Sequence, residues 1–379
     1  MTTKPDTVQP FKINIPQATL DDLQDRLART RWPAEVKGVG WDYGTNVGYM
    51  KELADYWQHK YDWRKHETEL NKFAHFKADV DGVNIHFIHE RGKGPNATPL
   101  ILTHGWPDSF YRFHKVIPML TEPVKYGGKP EDSFDVIVPS IPGFGFSDRV
   151  PMSEGEVADL WVKLMRDVLG YKQFTAGGGD VGSNVTKSLA FKYPEAVMAI
   201  HLTDVGYPTG QEDFSTMSQA EQEFARFIQG WWFKEGGYAM IQMTKPQTLA
   251  YGLNDSPVAW AAWAMTLLGE VEKNEKPLKS QDELLTNLTI YWVTQTIGSS
   301  IRSYNKSAQT ESAMKPGDRV QVPTAVARCA LDAPLPREWA ERNVNLQHYS
   351  EIPAGHFAAW EAPEAFVQDL REAFRQILK

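Results

Sequence analysis

The chain has 379 residues, which is enough for a sizeable buried core and for two or three structural units. Its formal net charge of −8 and the lack of a long basic run argue against nucleic acid as a partner. Cys329 is the only cysteine, which excludes an intramolecular disulfide. Residues 1–9 lack the apolar core of a signal peptide, and no apolar stretch approaches the roughly 18 residues of a membrane span. We therefore expect a cytoplasmic protein without a membrane span.

Residues 1–96 are predicted to form an N-terminal arm that packs on the core, rather than a part of the sheet core. Thr19 precedes an apolar stripe with helical spacing, which predicts an amphipathic helix capped by this threonine. Asp81 and Gly82 then join two runs of alternating polarity, the pattern of a β-hairpin with a type I′ turn.

Strand-like runs at residues 100–103, 134–139 and 197–203 alternate with segments of helical spacing. Strands that alternate with helices in this way imply βαβ units and a parallel sheet. A further strand at residues 322–327 and a closing helix at residues 366–378 return to the same pattern. We therefore predict an α/β fold in which a mostly parallel sheet is flanked by helices, with its core at residues 97–205 and 318–379.

Between these two core segments, residues 206–317 show helical spacing and contain five tryptophans. For most of these aromatic residues, the spacing indicates ordinary packing in a helical core. An all-helical insert in a sheet protein is also how a lid over an active site is built. We therefore predict a helical lid at residues 206–317.

The segment Gly-Gly-Asp-Val-Gly at residues 178–182 is the most informative motif. It follows a strand-like run and precedes a helix, which is the setting of the nucleophile elbow of α/β-hydrolases. The glycines allow a strained turn and a close approach of the backbone. Asp180 stands where such enzymes usually carry serine, and an aspartate can attack a saturated carbon to give an ester that water cleaves. This chemistry suits an epoxide or an alkyl halide, not a peptide bond.

A catalytic triad in this fold follows the chain order nucleophile, acid, histidine, which Asp180, Asp332 and His356 match. Asp332 follows a predicted strand and should lie at the sheet edge where such folds hold their sites. A histidine oriented by a carboxylate can take a proton from water. Asp204, after the strand that ends near residue 203, is the alternative acid, and we favour Asp332. This set needs no metal or cofactor, and we expect none.

The segment His-Gly-Trp-Pro at residues 104–107 ends an early strand on the same rim as the elbow. A loop in this position supplies one backbone N–H of an oxyanion hole, and the residue after the nucleophile supplies the other. We expect these donors to be Trp106 and Val181. They would stabilise the oxyanion that forms when water attacks the ester of Asp180.

Several motifs spread over nearly the whole chain together resemble the epoxide hydrolases of the microsomal type; they lie at residues 31–33, 104–107, 143–147, 178–180, 245–248, 253–257 and 353–356. The resemblance implies an α/β-hydrolase core, a helical lid, a meander-like arm and a small-molecule epoxide as substrate. It also implies two lid tyrosines that hydrogen-bond the epoxide oxygen, matched by motif to Tyr238 and Tyr304. We expect Trp106 and Phe144 to contact the substrate. The oligomeric state stays open, with a homodimer as one alternative.

Phenols suit this role on chemical grounds as well. Opening an epoxide expels an alkoxide, which is a poor leaving group unless a proton donor meets it. A phenol with a pKa of about 10 is protonated at neutral pH and can donate that proton.

The sequence departs from the family pattern in two places. Membrane-anchored relatives carry an N-terminal transmembrane segment, which is absent here. Many relatives place tryptophan directly after the nucleophile, whereas this chain has Val181. The backbone N–H survives that change, so the difference bears on the shape of the substrate and not on the chemistry.

Other functions are less consistent with the sequence. Gly177, Gly179 and Gly182 match a dinucleotide-binding fingerprint, but Asp180 would then point a negative charge at the pyrophosphate. A haloalkane dehalogenase commonly binds halide with a tryptophan beside the nucleophile, and Val181 offers no such side chain. A serine hydrolase is excluded because no Gly-x-Ser-x-Gly occurs. A binding protein with a lid but without turnover should lack at least one residue of the triad, and all three candidates are present.

Overall fold

The computed structural model describes residues 8–268, 279–315 and 317–379. Within these residues, nine strands form one sheet. The strands are β1 (Gln9–Phe11), β2 (His75–Val80), β3 (Val83–Glu90), β4 (Thr98–Thr103), β5 (Phe134–Pro139), β6 (Phe174–Gly178), β7 (Val197–Leu202), β8 (Val320–Cys329) and β9 (Val344–Ile352).

Helices precede, flank and interrupt this sheet. They are α1 (Gln17–Ala28), α2 (Val47–His59), α3 (Trp63–Leu70), α4 (Val116–Thr121), α5 (Glu154–Lys163), α6 (Val181–Lys192), α7 (Gln219–Glu235), α8 (Gly237–Thr244), α9 (Pro246–Asp255), α10 (Pro257–Leu268), α11 (Gln281–Thr294), α12 (Ile297–Gln309), α13 (Arg337–Asn343), α14 (Ala358–Glu361) and α15 (Pro363–Ile377). In the part of the chain that the structure describes, no helix has the length and apolar character that crossing a membrane requires.

The strand order in the sheet is β1-β2-β3-β5-β4-β6-β7-β8-β9. From β5 to β9 all neighbours are parallel, whereas β1, β2 and β3 are antiparallel to their neighbours. The predicted mostly parallel sheet with flanking helices is therefore confirmed. Thr103, Gly178 and Leu202, the last residues of β4, β6 and β7, pair in register. The loops that follow these three strands consequently emerge side by side at one edge of the sheet.

Part of the N-terminal arm lies inside the sheet, so the prediction that it stays outside the sheet core is wrong for residues 9–11 and 75–90. Strand β3 pairs with β5 and is buried from Ile85 to His89, as a strand covered on both faces must be. The predicted type I′ turn is confirmed, since Asp81 and Gly82 both have positive φ angles, of 57° and 83°.

Two local predictions differ from the observed elements. Helix α1 begins at Gln17 with Pro16 as its N-cap, so Thr19 lies inside the helix and does not cap it. Proline lacks a backbone N–H, which costs nothing at a helix start because that group has no partner there. Strand β9, which pairs with β8 over its whole length, was not predicted.

The segment between β7 and β8 is helical from α7 to α12 in its described residues. Helix α12 packs against α8 and α9, and α10 packs against α9 and α11. Trp260 on α10 is fully buried, and its indole N–H donates to the carbonyl of Leu288 on α11 at 3.1 Å. These helices are tied to the core loop after β4, because Asn287 on α11 donates to the carbonyl of Pro107 at 2.8 Å.

Candidate active site

Asp180 stands at the turn between β6 and α6 with a φ angle of 59°, in the left-handed region that non-glycine residues rarely adopt. Its backbone N–H donates to Asp204 Oδ2 at 2.9 Å, and Ser183 Oγ donates to the same oxygen at 2.9 Å. The carboxylate of Asp204 therefore stabilises the strained turn at Asp180 through these two hydrogen bonds. The side chain of Asp180 is thereby presented at the edge where the parallel strands end.

Two glycines make this turn sterically feasible. A Cβ atom on Gly182 would collide with the carbonyl of Thr103 at the end of β4. A Cβ atom on Gly105 would collide with the carboxyl group of Asp180. The spacing of small residues around Asp180 thus reflects close approach of two loops.

Two backbone donors converge on one oxygen of this carboxylate. The N–H of Trp106 lies 2.9 Å from Asp180 Oδ1, and the N–H of Val181 lies 2.7 Å from it. Trp106 belongs to the loop after β4, and Val181 is the first residue of α6. If this oxygen became an oxyanion, both donors would already point at it.

The other oxygen of Asp180 faces a histidine. His356 Nε2 lies 3.0 Å from Asp180 Oδ2, and His356 Nδ1 lies 2.8 Å from Asp332 Oδ2. Asp332 follows β8 and His356 follows β9. The side chains of Asp180, His356 and Asp332 are 17%, 23% and 27% exposed, so the group is sheltered but can be reached. The structure thus brings together the three residues predicted as a triad, and Asp204 lies beneath the elbow instead.

The charges of this group stabilise one another. Burial by itself lowers the pKa of His356, but the Asp332 carboxylate and the hydrogen bonds to both aspartates raise that pKa well above its ordinary value. Burial by itself raises the pKa of Asp180, but His356 and the Val181 and Trp106 N–H groups lower it below its ordinary value. Both pKa shifts favour a carboxylate on Asp180 and an imidazolium on His356 in the free protein.

Asp204 differs from the other two carboxyl groups in its environment. Burial raises its pKa above the ordinary value, and the charge of Asp180 acts in the same direction, whereas His356 and the hydrogen bonds oppose them. Its contacts are with the backbone and hydroxyl groups of the elbow. This geometry makes Asp204 a support for the turn, a role that sequence reasoning did not assign.

Tyr238 on α8 and Tyr304 on α12 lie over the indole of Trp106. The ring of Tyr238 stacks on it with centroids 5.6 Å apart, and the ring of Tyr304 meets it edge-on at 5.8 Å. Burial, and after it the charge of Asp180, raises the pKa of Tyr238, and burial raises that of Tyr304 well above its ordinary value. Both phenols are therefore protonated at neutral pH, and both belong to the helical segment between β7 and β8.

Phe144 and His104 support the loops around the site. Phe144 is fully buried, with its ring 5.1 Å from that of His104. His104 Nε2 accepts the backbone N–H of Ile141 at 3.1 Å, which joins the loops after β4 and β5. No aromatic contact within the described residues joins Phe144 to Tyr238 or Tyr304, so contact between Phe144 and substrate stays a prediction.

Histidines elsewhere have local partners. His86 Nε2 and His75 Nδ1 lie 2.9 Å apart, and His86 Nδ1 lies 2.9 Å from Ser140 Oγ. Across residues 8–268, 279–315 and 317–379, no group of three or more histidine, cysteine, aspartate or glutamate side chains is arranged to hold a metal ion.

The fold and this site define an α/β-hydrolase. The family described as "alpha/beta hydrolase fold" matches residues 98–363, and the one described as "Epoxide hydrolase N terminus" matches residues 8–113. A protein of Stigmatella aurantiaca (strain DW4/3-1), provisionally named an epoxide hydrolase, is 40% identical over 380 residues, covering 98% of this chain and 85% of that protein. "Epoxide hydrolase 1" of Sus scrofa is 34% identical over 413 residues, covering 97% of this chain and 88% of that protein.

A solved structure agrees with these relatives. The crystal structure of juvenile hormone epoxide hydrolase from the silkworm Bombyx mori matches with a TM-score of 0.87 and 29% identity, covering 98% of this chain and 95% of that chain. The chain belongs to the epoxide hydrolase family, and it is a hydrolase.

Proposed function

We propose that the protein hydrates an epoxide to a vicinal diol through an ester of Asp180. One observation carries the proposal: Asp180 Oδ1 receives two backbone N–H donors, while Asp180 Oδ2 faces His356 and, beyond it, Asp332. Such an arrangement suits a carboxyl group that is first esterified on one oxygen and then attacked at its carbon.

In the first half-reaction, Asp180 Oδ2 attacks one ring carbon of the epoxide, and the bond between that carbon and the ring oxygen breaks. The ring oxygen takes a proton from the phenol of Tyr238 or Tyr304, which becomes a phenolate. The product is a hydroxyalkyl ester of Asp180. General acid catalysis of this kind typically contributes about 10²–10⁴-fold to a rate.

Once the ester has formed, the imidazolium of His356 gives its proton to the phenolate and becomes a neutral base. In the second half-reaction, water attacks the carboxyl carbon of the ester while His356 Nε2 takes a proton from it. The negative charge that forms on Oδ1 is stabilised by the N–H groups of Trp106 and Val181. The tetrahedral intermediate then expels the diol oxygen, which takes the proton from His356. The carboxyl proton that remains on Asp180 then passes to His356 and restores the imidazolium, so that one epoxide and one water yield one diol.

The leaving group distinguishes this reaction from dehalogenation. The indole N–H of Trp106 is buried without an acceptor in the described part of the chain and could contact a departing halide. A halide needs no proton, however, whereas an alkoxide does. Two buried, protonated phenols on the lid side of Asp180 therefore favour an epoxide.

The proposal is tested by offering purified protein a panel of styrene oxide, cyclic terpene oxides, aliphatic epoxides and haloalkanes. We expect a vicinal diol from at least one epoxide class, with no added metal or nicotinamide. Asp180→Ala is the matched control and should form no diol. Halide release without diol, a requirement for nicotinamide, or loss of activity on dialysis against a chelator would contradict the proposal.

A further inference from the structure

We propose that Arg112 is a positioning residue for the hydrolysis of the Asp180 ester. Arg112 lies in the short 3-10 turn Phe110–Phe113, directly after the loop that supplies the Trp106 N–H. Its side chain is only 1% exposed, and its pKa is raised: burial alone would lower it, but the Asp108 carboxylate outweighs that effect. The guanidinium is therefore a fixed positive charge beneath the candidate site.

The first contact of Arg112 orders the oxyanion loop. Arg112 Nη1 lies 2.8 Å from Asp108 Oδ2, and the other oxygen of Asp108 accepts the backbone N–H of Gly105 at 2.7 Å. Gly105 immediately precedes Trp106. The ion pair thus fixes the peptide chain from which one of the two donors to Asp180 Oδ1 projects.

The second contact orders the histidine loop. Arg112 Nη2 donates to the backbone carbonyl of His356 at 2.9 Å, and its guanidinium lies 5.4 Å from the ring centre of Phe357. The same nitrogen lies so close to Gly179 that a Cβ atom on that residue would collide with it. One cation therefore contacts the three segments that hold Trp106, Asp180 and His356.

These contacts bear on one half-reaction more than on the other. Formation of the ester uses Asp180 Oδ2 and the lid phenols, and Arg112 touches neither. Hydrolysis needs the orientation of His356 and the N–H of Trp106, which Arg112 does hold in place. The tetrahedral intermediate also adds a negative charge above a buried cation, where the interaction is weakly screened.

The test separates ester formation from ester hydrolysis in single turnovers with an epoxide that the wild-type protein converts, following the adduct by intact mass. In Arg112→Lys, a lysine keeps the charge but cannot span both Asp108 and the His356 carbonyl. We expect hydrolysis to slow by roughly 10²-fold, as for a small misplacement of catalytic groups, with the adduct accumulating. Ester formation should stay within a few-fold of wild type.

Arg371→Lys is the matched control. Arg371 is also buried and donates to the backbone carbonyls of Met119 and Tyr126, away from the candidate site. Its variant should leave the ratio of the two rates unchanged. The double variant Asp108→Asn with Arg112→Met leaves no unpaired buried charge, and the amide oxygen that replaces the carboxylate can still accept the N–H of Gly105. This double variant therefore gives a folded comparison if the lysine variant is unstable.

The inference rests on the proposed ester of Asp180, and the two can fail separately. A wild-type protein that forms no adduct during turnover would overturn the proposed function. Wild-type adduct formation together with equal losses of both rates in the Arg112 variants, or a rate ratio like that of Arg371→Lys, would overturn only the role of Arg112.

Discussion

His356 Nε2 lies 3.0 Å from Asp180 Oδ2, on the side of the imidazole opposite Asp332. Carboxylate oxygens only accept hydrogen bonds, so both ring nitrogens donate and the ring is an imidazolium. Esterification of Asp180 removes one of the two negative charges that raise the pKa of His356. In the proposed mechanism, the imidazole would therefore become a competent base only after the ester has formed.

This relationship predicts different pH profiles for the two half-reactions. Ester formation requires Asp180 as a carboxylate, whose pKa lies below 3.8, and phenols whose pKa values lie above 10.0. Its rate should therefore be flat between about pH 5 and pH 9, because neither group titrates there. Hydrolysis requires neutral His356 and should slow as the pH falls and the imidazole is protonated. Single-turnover rates measured across this range check both statements.

His356→Gln is the control for the base. It should still form the ester and should stop at that point, so the adduct accumulates and is visible by intact mass. An inactive His356→Gln protein without any adduct would mean that His356 is required before the ester forms.

Tyr238 and Tyr304 should be partly redundant as proton donors. Tyr238→Phe and Tyr304→Phe should each slow ester formation by about 10-fold, and the double variant by 10²-fold or more, in line with general acid catalysis. Tyr251→Phe is the control, because Tyr251 lies on α9 in the same helical segment but is 74% exposed. Full rates in both single variants on several epoxides would place the donors elsewhere.

Substitutions of Asp332 and of Asp204 should affect the two half-reactions differently. Asp332→Asn removes the charge that orients His356, and hydrolysis should slow by roughly 10³–10⁴-fold while the adduct accumulates. Asp204→Asn disturbs the hydrogen bond to the Asp180 N–H, so both half-reactions should slow together, by about 10-fold or less. If the adduct instead accumulated in Asp204→Asn and not in Asp332→Asn, the assignment of the acid would be reversed.

Local patterns in the sequence predicted much of this arrangement. The elbow at Asp180 could be recognised because its glycines, the strand before it and the helix after it are contiguous. The chain order of Asp180, Asp332 and His356 followed from the fold class, although β9, the strand before His356, was not predicted. Parallel strands then bring these separate loops to one edge of the sheet.

Long-range contacts could not be predicted in the same way. Arg112 and the carbonyl that it contacts in His356 are 244 residues apart, and no periodicity relates them. The i, i+4 spacing of Asp108 and Arg112 was the one local signal available. The pairing of β3 with β5 could not be predicted either. The alternating polarity of the hairpin strands does not show which strand of the parallel sheet the hairpin pairs with.

The most direct prediction is that a protein oxygen of Asp180 enters the product. Water should attack the carboxyl carbon of the ester, because the N–H groups of Trp106 and Val181 stabilise charge on Asp180 Oδ1 and not on the epoxide. In a single turnover in ¹⁸O-water with protein in excess, the diol should be unlabelled at the new hydroxyl and Asp180 should carry the label. Mass spectrometry of the peptide that contains Asp180, and of the diol, decides the matter. Asp180→Ala, carried through the same procedure, gives the background exchange. Label in the first-turnover diol would instead mean direct attack of water on the epoxide, with Asp180 acting only as a base.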